Sequence, residues 1–542
     1  MNRDFPLRYL TLVIVAFVFL LSLALALILH TGWWLVVMSW SLTTVGLIDL
    51  FQTKHAILRN YPILGHFRFF FELIRPEIRQ YLLEDDTDAK PFSRNQRSIV
   101  YQRAKHVLDK RPFGTQMDLY ESGYEWINHS ITPTKIASHD FRITIGAERA
   151  QPYSASVFNI SAMSFGALSA NAVRALNLGA QKGRFMHDTG EGSISKYHLA
   201  ESAEQPGGDL VWEIGSGYFG CRNADGTFSE ENFVKNARLA QVKMIEVKLS
   251  QGAKPGHGGI LPAAKVSPEI AAARGVPVGV DCVSPPMHSA FDTPIGLLQF
   301  IDKLRTLSGG KPTGFKLAIG HPWEFFGIAK AMLQTGIYPD FIVVDGSEGG
   351  TGAAPVEFAD HIGTPLQEAL VLVHNTLVGI NLRDKVKIGA SGKIISAFDI
   401  ARTLALGADW CNSARGFMFA LGCIQSLNCH NDHCPTGVTT QDPYRQRALV
   451  VPDKATRVAN YHQNTLKALG ELISAAGLNH PSELRPHHLV RRVSPNQVKL
   501  ASVLLPYLDP GQLLDAGQIQ RMPAVFKTYW PVARAESFHP IH

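Results

Sequence analysis

Phe341-Ile342-Val343-Val344-Asp345-Gly346-Ser347-Glu348-Gly349-Gly350-Thr351-Gly352 sets four apolar residues directly before a run rich in glycine. A short apolar run of this kind suits a strand covered on both faces, as in parallel sheets. Glycines at its C-terminal end free backbone N–H groups, and with a helix N-terminus behind them these form a phosphate cradle. A tight turn is the plainer reading of any one such run. The pattern recurs, however: Ala390-Ser391-Gly392-Lys393 closes the run 386–390, and Ala414-Arg415-Gly416 closes the run 410–414.

Outward from these three, further short apolar runs lie at 157–161, 184–188, 210–214, 244–249, 278–283 and 314–318. Segments between them, at 169–182, 294–307, 323–335 and 397–406, carry helical periodicity. Strand alternating with helix predicts parallel β/α architecture. Nine runs for eight places predict a (β/α)8 TIM barrel with one strand misread or extra. A doubly wound sheet is the alternative, although no dinucleotide glycine fingerprint follows the first strand. In the barrel the three glycine loops follow strands six, seven and eight, and loops after strands seven and eight commonly hold a phosphate. Their joint placement points to a phosphorylated cofactor.

The 542 residues include 46% hydrophobic and 18% charged, which excludes a disordered tail. A net charge of +6 over this length makes no case for nucleic acid. Leu10 to Leu29 carries no charge and at 1.5 Å per residue spans about 30 Å. After His30-Thr31-Gly32 comes a second apolar stretch, 33–50, with Trp33, Trp34 and Trp40 suited to an interfacial belt. A cleavable signal peptide fits less well, since the first stretch is too long and a second follows at once. Arg3 and Arg8 precede the spans, and Lys54, Arg59, Arg68, Arg75 and Arg79 follow them, so both ends are expected in the cytoplasm. Residues 56–83 mix apolar residues with arginines and read either as an interfacial segment or as a helical linker. Glu84-Asp85-Asp86-Thr87-Asp88 reads as a loop. The chain thus divides into a transmembrane helical hairpin (1–52), a linker and N-terminal extension (53–150), the barrel with a cysteine loop (151–480) and a C-terminal extension (481–542), the last read as short helices and loops.

Six cysteines are too few for a disulfide framework. Cys423, Cys429 and Cys434 form a C-x5-C-x4-C cluster within Leu421-Gly422-Cys423 through Cys434-Pro435-Thr436-Gly437. Three thiolates suit a three-iron cluster; with His430 or His433 they suit a Cys3His zinc site. Cys221, Cys282 and Cys411 read as ordinary core thiols.

Several motifs follow one another in order: Ser161-Ala162-Met163-Ser164-Phe165-Gly166, Thr189-Gly190-Glu191-Gly192, Gln251-Gly252-Ala253-Lys254-Pro255-Gly256, Ser284-Pro285-Pro286, the run from Asp345 to Ala353, and the cysteine loop through Thr440-Gln441-Asp442-Pro443. Over roughly residues 120–475 they resemble the FMN-binding synthase domain of glutamate synthase. The resemblance implies FMN at the barrel mouth, with Ala162, Met163 and Ser164 under the flavin and Lys316 at its pyrimidine edge. Gly349, Gly350, Thr351, Gly352, Gly392, Arg415 and Gly416 would surround its phosphate. It implies a [3Fe–4S] cluster on Cys423, Cys429 and Cys434. Lys248, Lys254 and Arg274 match a 2-oxoglutarate site, and Lys248, Lys254, Glu191 and His257 are the catalytic candidates.

Departures bear on the substrate. The resembled enzymes carry Gly-Glu-Gly-Gly-Gln and Ser-Gly-Arg-Phe-Gly where this chain has Gly256-His257-Gly258-Gly259-Ile260 and Ser216-Gly217-Tyr218-Phe219-Gly220. A glutamine and an arginine are absent, and an acid has become histidine. The chain begins Met1-Asn2-Arg3, without the N-terminal cysteine of a glutaminase domain, so ammonia is expected free or from a partner. The expected function is a membrane-anchored oxidoreductase that reduces 2-iminoglutarate, formed from 2-oxoglutarate and ammonia, to glutamate. An electron donor such as ferredoxin or a reductase subunit would supply it. The alternatives are a same-fold FMN oxidoreductase of another amino or keto acid, and a membrane electron-transfer subunit.

Overall fold

The computed structural model describes residues 7–87, 90–200 and 206–541. Arg3 and Asp88, named above, lie outside them. The chain divides into two compact units, Met1–Arg94 and Asn95–His542.

In the first unit, α1 (Leu10–Leu29) and α2 (Trp33–Phe51) form a hairpin. His30 and Gly32 adopt left-handed backbone conformations, which reverses the chain within three residues. Ser22 and Ser39 hydroxyls meet at 3.2 Å between the helices. Most other side chains along both helices are exposed and apolar, Phe17, Ile28 and Trp34 among them. Both helices are long and apolar enough to cross a membrane, with mean hydropathies of 3.2 and 1.6. Asp49, the one acid in either helix, is buried and accepts hydrogen bonds from the Ile63 amide and His66 Nε2, each at 2.9 Å. It thereby ties the end of α2 to α3 (Gly65–Ile78).

The second unit is a closed barrel of eight parallel strands. They are β1 (Phe158–Ile160), β2 (His187–Asp188), β3 (Leu210–Ile214), β4 (Val242–Lys248), β5 (Thr313–Leu317), β6 (Phe341–Asp345), β7 (Lys387–Ser391) and β8 (Trp410–Ser413). Closure rests on β8 pairing with β1, Cys411 opposite Phe158 and Ser413 opposite Ile160, which excludes the doubly wound alternative. The extra run is 278–283. Only Cys282–Val283 is extended there, and it pairs antiparallel with Ile260–Leu261 in the excursion between β4 and β5. Gly279 in a left-handed conformation interrupts the run, and Val278, Val280 and Val283 are exposed, which leaves Cys282 as its buried residue.

An antiparallel hairpin, Arg142–Ile145 with Tyr153–Ser156, closes the N-terminal end of the barrel. Its Ile145, Tyr153 and Ala155 pack with Met186, Val211, Met244, Phe341 and Trp410 into one buried cluster. With that end plugged, the C-terminal mouth is left for chemistry. Outside the strands, α4 (Ala170–Gly183) packs against α5 (Val451–Ala475). The tail departs from the expected helices and loops: Leu489–Ser494 and Gln497–Leu500 form a hairpin that pairs with Glu125–Ile127. Arg491 and Arg492 hide that strand from a hydrophobicity pattern. The ion pair of Arg491 with Glu125, at 2.7 Å, is part of what holds it.

Candidate functional site at the barrel mouth

The loop after β2 carries Glu191, and the end of β4 carries Lys248. Their side chains pair at 3.1 Å. Burial alone would raise the Glu191 carboxyl; Lys248, with Arg274 and Lys254 behind it, holds it below the usual carboxylate range. Lys254 is buried and donates to the Gly258 carbonyl at 3.2 Å; its pKa is lowered, chiefly by burial. Arg274, also buried, donates to the Phe165 carbonyl at 3.1 Å. Three cations around one carboxylate leave an excess of positive charge, which suits a dicarboxylate. His257 stands at the edge of this group, its Nδ1 donating to the Gly258 carbonyl at 2.9 Å and its ring against Phe358. Ile260 is partly exposed.

Tyr218 does not enter the mouth. It is fully buried, and its hydroxyl donates to His288 Nδ1 at 3.1 Å and accepts from the Ala290 amide. His288 Nε2 in turn donates to the Lys248 carbonyl at 2.8 Å. Burial lowers the His288 pKa to about 4, which keeps the ring neutral and that bonding pattern intact. The aromatic residue therefore acts on Lys248 from behind, by fixing its backbone.

Ala162, Met163 and Ser164 follow β1. The Gly190 backbone presses on them so closely that a Cβ there would lie 2.6 Å from the Ser164 amide. Across the mouth, the Gly349–Gly352 loop meets Arg415: a Cβ on Gly350 would lie 2.9 Å from its guanidinium. Arg415 Nη2 donates to the Glu348 carbonyl, and burial lowers its pKa to about 10. A cation beside glycine backbone is a fitting cradle for a phosphate. Gly392, after β7, lies beside Glu348 and Leu366, and Gly416 is packed against Ser413 and the Tyr461 hydroxyl.

Lys316 on β5 is buried with its ammonium against Glu213 of β3 and 3.5 Å from Glu246 of β4. Oxygens of Glu213, Glu246 and Asp188 of β2 all lie within 4.8 Å of one another. Sequence reasoning missed this layer. Burial and the neighbouring Glu213 charge raise Asp188 to about 7; burial and Asp188 raise Glu246 well above the usual range. Lys316 is held protonated against its burial by the three acids and by Asp345. An isolated acid inside an apolar run, as in Leu210-Val211-Trp212-Glu213-Ile214, was the available signal.

Cys423, Cys429 and Cys434 follow the helix Arg415–Leu421 and form no disulfide. Burial raises Cys423 to about 12, whereas hydrogen bonds from Thr436 and Thr439 outweigh burial at Cys434 and lower it. His430 and His433, the histidines of this loop, are exposed. Three cysteines on one loop are a donor set that fits a three-iron cluster. A Cβ on Gly352 would lie 3.3 Å from Cys429 Cβ, so the cradle loop and the cysteine loop are in contact.

Residues 116–479 match the family described as the conserved region in glutamate synthase. The chain belongs to the glutamate synthase family. Its members are oxidoreductases acting on the CH–NH2 group of donors. The chain is 40% identical over 483 residues to the glutamate synthase large subunit-like protein YerD of Bacillus subtilis, covering 81% of this chain and 90% of that one. It is 36% identical over 330 residues to the archaeal glutamate synthase [NADPH] of Methanocaldococcus jannaschii, 60% of each chain. Against the glutamate synthase [NADPH] large chain of Bacillus subtilis it is 32% identical over 344 residues but spans 21% of that protein. A solved structure of flavocytochrome b2 with pyruvate bound aligns over 77% of this chain and 91% of that one, at 15% identity and a TM-score of 0.42.

Proposed function

We propose that this protein is a membrane-anchored oxidoreductase that uses FMN and a [3Fe–4S] cluster to reduce 2-iminoglutarate to glutamate. The observation that carries the reading is the mouth itself, where Lys248, Lys254 and Arg274 surround Glu191. FMN, when bound, supplies hydride chemistry to the imine carbon. Arg415 and the glycine loop at 349–352 would hold its phosphate, and Ala162, Met163, Ser164 and Lys316 its ring. Cys423, Cys429 and Cys434 would ligate the cluster. Lys248 and Lys254 would take one substrate carboxylate and Arg274 the other. Glu191, kept ionised by those cations, would accept hydrogen bonds from the protonated imine nitrogen and balance its charge.

The contact between Gly352 and Cys429 supports electron entry through the cysteine loop. An external one-electron carrier or a reductase subunit would feed it, and ammonia would come free or from a partner. The helices α1 and α2 would anchor the body, with both ends cytoplasmic. Anaerobic titration of the flavin-reduced protein with 2-oxoglutarate plus ammonia tests the reading. Stoichiometric reoxidation with formation of glutamate is expected. Reoxidation only by another keto acid, or by none, overturns the assigned substrate.

A further inference from the structure

Lys265 lies in the excursion after β4, between Lys254 and Arg274 in sequence. It is buried, and its ammonium donates to the Cys429 carbonyl at 2.8 Å and the Thr439 carbonyl at 2.9 Å. One side chain from the substrate segment thus braces both limbs of the cysteine loop. Its charge faces Cys429, Cys434 and Asp432. Arg97 stands by Cys423 on the other flank. Two carbonyl acceptors compensate a buried ammonium only in part, and an anionic group beside it supplies the rest. A cluster held by three thiolates is such a group, and it gains a further negative charge on reduction.

We infer that Lys265 is a positioning residue for the cluster, whose fixed positive charge stabilises the reduced state and whose hydrogen bonds hold the loop. This rests on the cluster reading above. The substitutions separate the two roles. Lys265→Gln keeps a donor without the charge, and Lys265→Arg keeps both. The full-length protein, purified anaerobically in detergent, is assayed for iron and labile sulfide and titrated potentiometrically by electron paramagnetic resonance. Lys265→Arg should match wild type. Lys265→Gln should either retain the cluster at a more negative midpoint potential or lose it where the arginine variant does not. An unchanged potential in Lys265→Gln, or equal loss of iron from both variants, overturns the inference. A wild-type protein without iron and labile sulfide instead removes the cluster reading, and this one with it.

Discussion

Asp188 shows what burial of like charges does to a single group. Its carboxyl titrates at about 7 in the folded chain, against about 3.9 when unfolded. The folded state therefore binds the proton more tightly. Its contribution to stability is largest below about pH 4 and is lost as pH rises through about 7. Asparagine keeps the acceptor for the Gly190 amide, at 3.0 Å, and never ionises. The melting temperature of Asp188→Asn relative to wild type should therefore rise between about pH 4 and about pH 8; scanning calorimetry at the two pH values decides it, and the reverse trend refutes the assignment. At the mouth, Lys254→Ala removes a cation and should weaken 2-oxoglutarate binding roughly tenfold to a hundredfold, as befits one charged hydrogen bond of about 1.5–3 kcal/mol. Calorimetric titration at fixed ionic strength would measure it. Ile260→Gln restores an amide where Ile260 offers none and should move affinity the other way. If affinity stays unchanged in both variants, the substrate does not reach this loop.

Elements were legible in the sequence to the extent that their burial was uniform. Strands buried on both sides, such as Phe341–Asp345, read directly as apolar runs, and glycine marked their C-terminal ends. The run 278–283 misled because valine signals extended backbone whether or not another strand covers it. The hairpin Leu489–Ser494 with Gln497–Leu500 stayed hidden because its pairing strand lies at the other end of the sequence. The site was legible where charge stood in loops, and illegible at Tyr218, whose role depends on His288 behind β4. The crossing of α4 and α5 is set by Gly179, where a Cβ would lie 2.6 Å from Val458 Cβ and 2.9 Å from the Ala455 carbonyl. Neither neighbour is the far end of a flexible side chain. Gly179→Ala should cost about 1–3 kcal/mol through overpacking, read as a lower denaturation midpoint. A neutral or stabilised variant would mean that the helices can separate cheaply.

On the scale of the whole molecule, apolar exposure is concentrated in the first unit. Beyond α1 and α2, helix α3 exposes Phe67, Phe69, Phe70, Phe71 and Leu73. Arg68 and Arg75 stand among them in the sequence. The tie from Asp49 to His66 fixes α3 to the end of α2, so the helical hairpin and this helix act together. Removing residues 1–52 cuts that tie and leaves the phenylalanines uncovered. That truncation should still require detergent. Removing residues 1–89 takes α3 as well, while the helix Arg94–Lys105, whose Tyr101 donates to the Cys423 carbonyl at 2.6 Å, stays with the barrel. The shorter body should be soluble and retain both flavin and iron in the ratio of the full chain, measured after size exclusion without detergent. Solubility of the 1–52 deletion would show that α3 needs no membrane, whereas loss of iron from the 1–89 deletion alone would place part of the cysteine loop's support in the first unit.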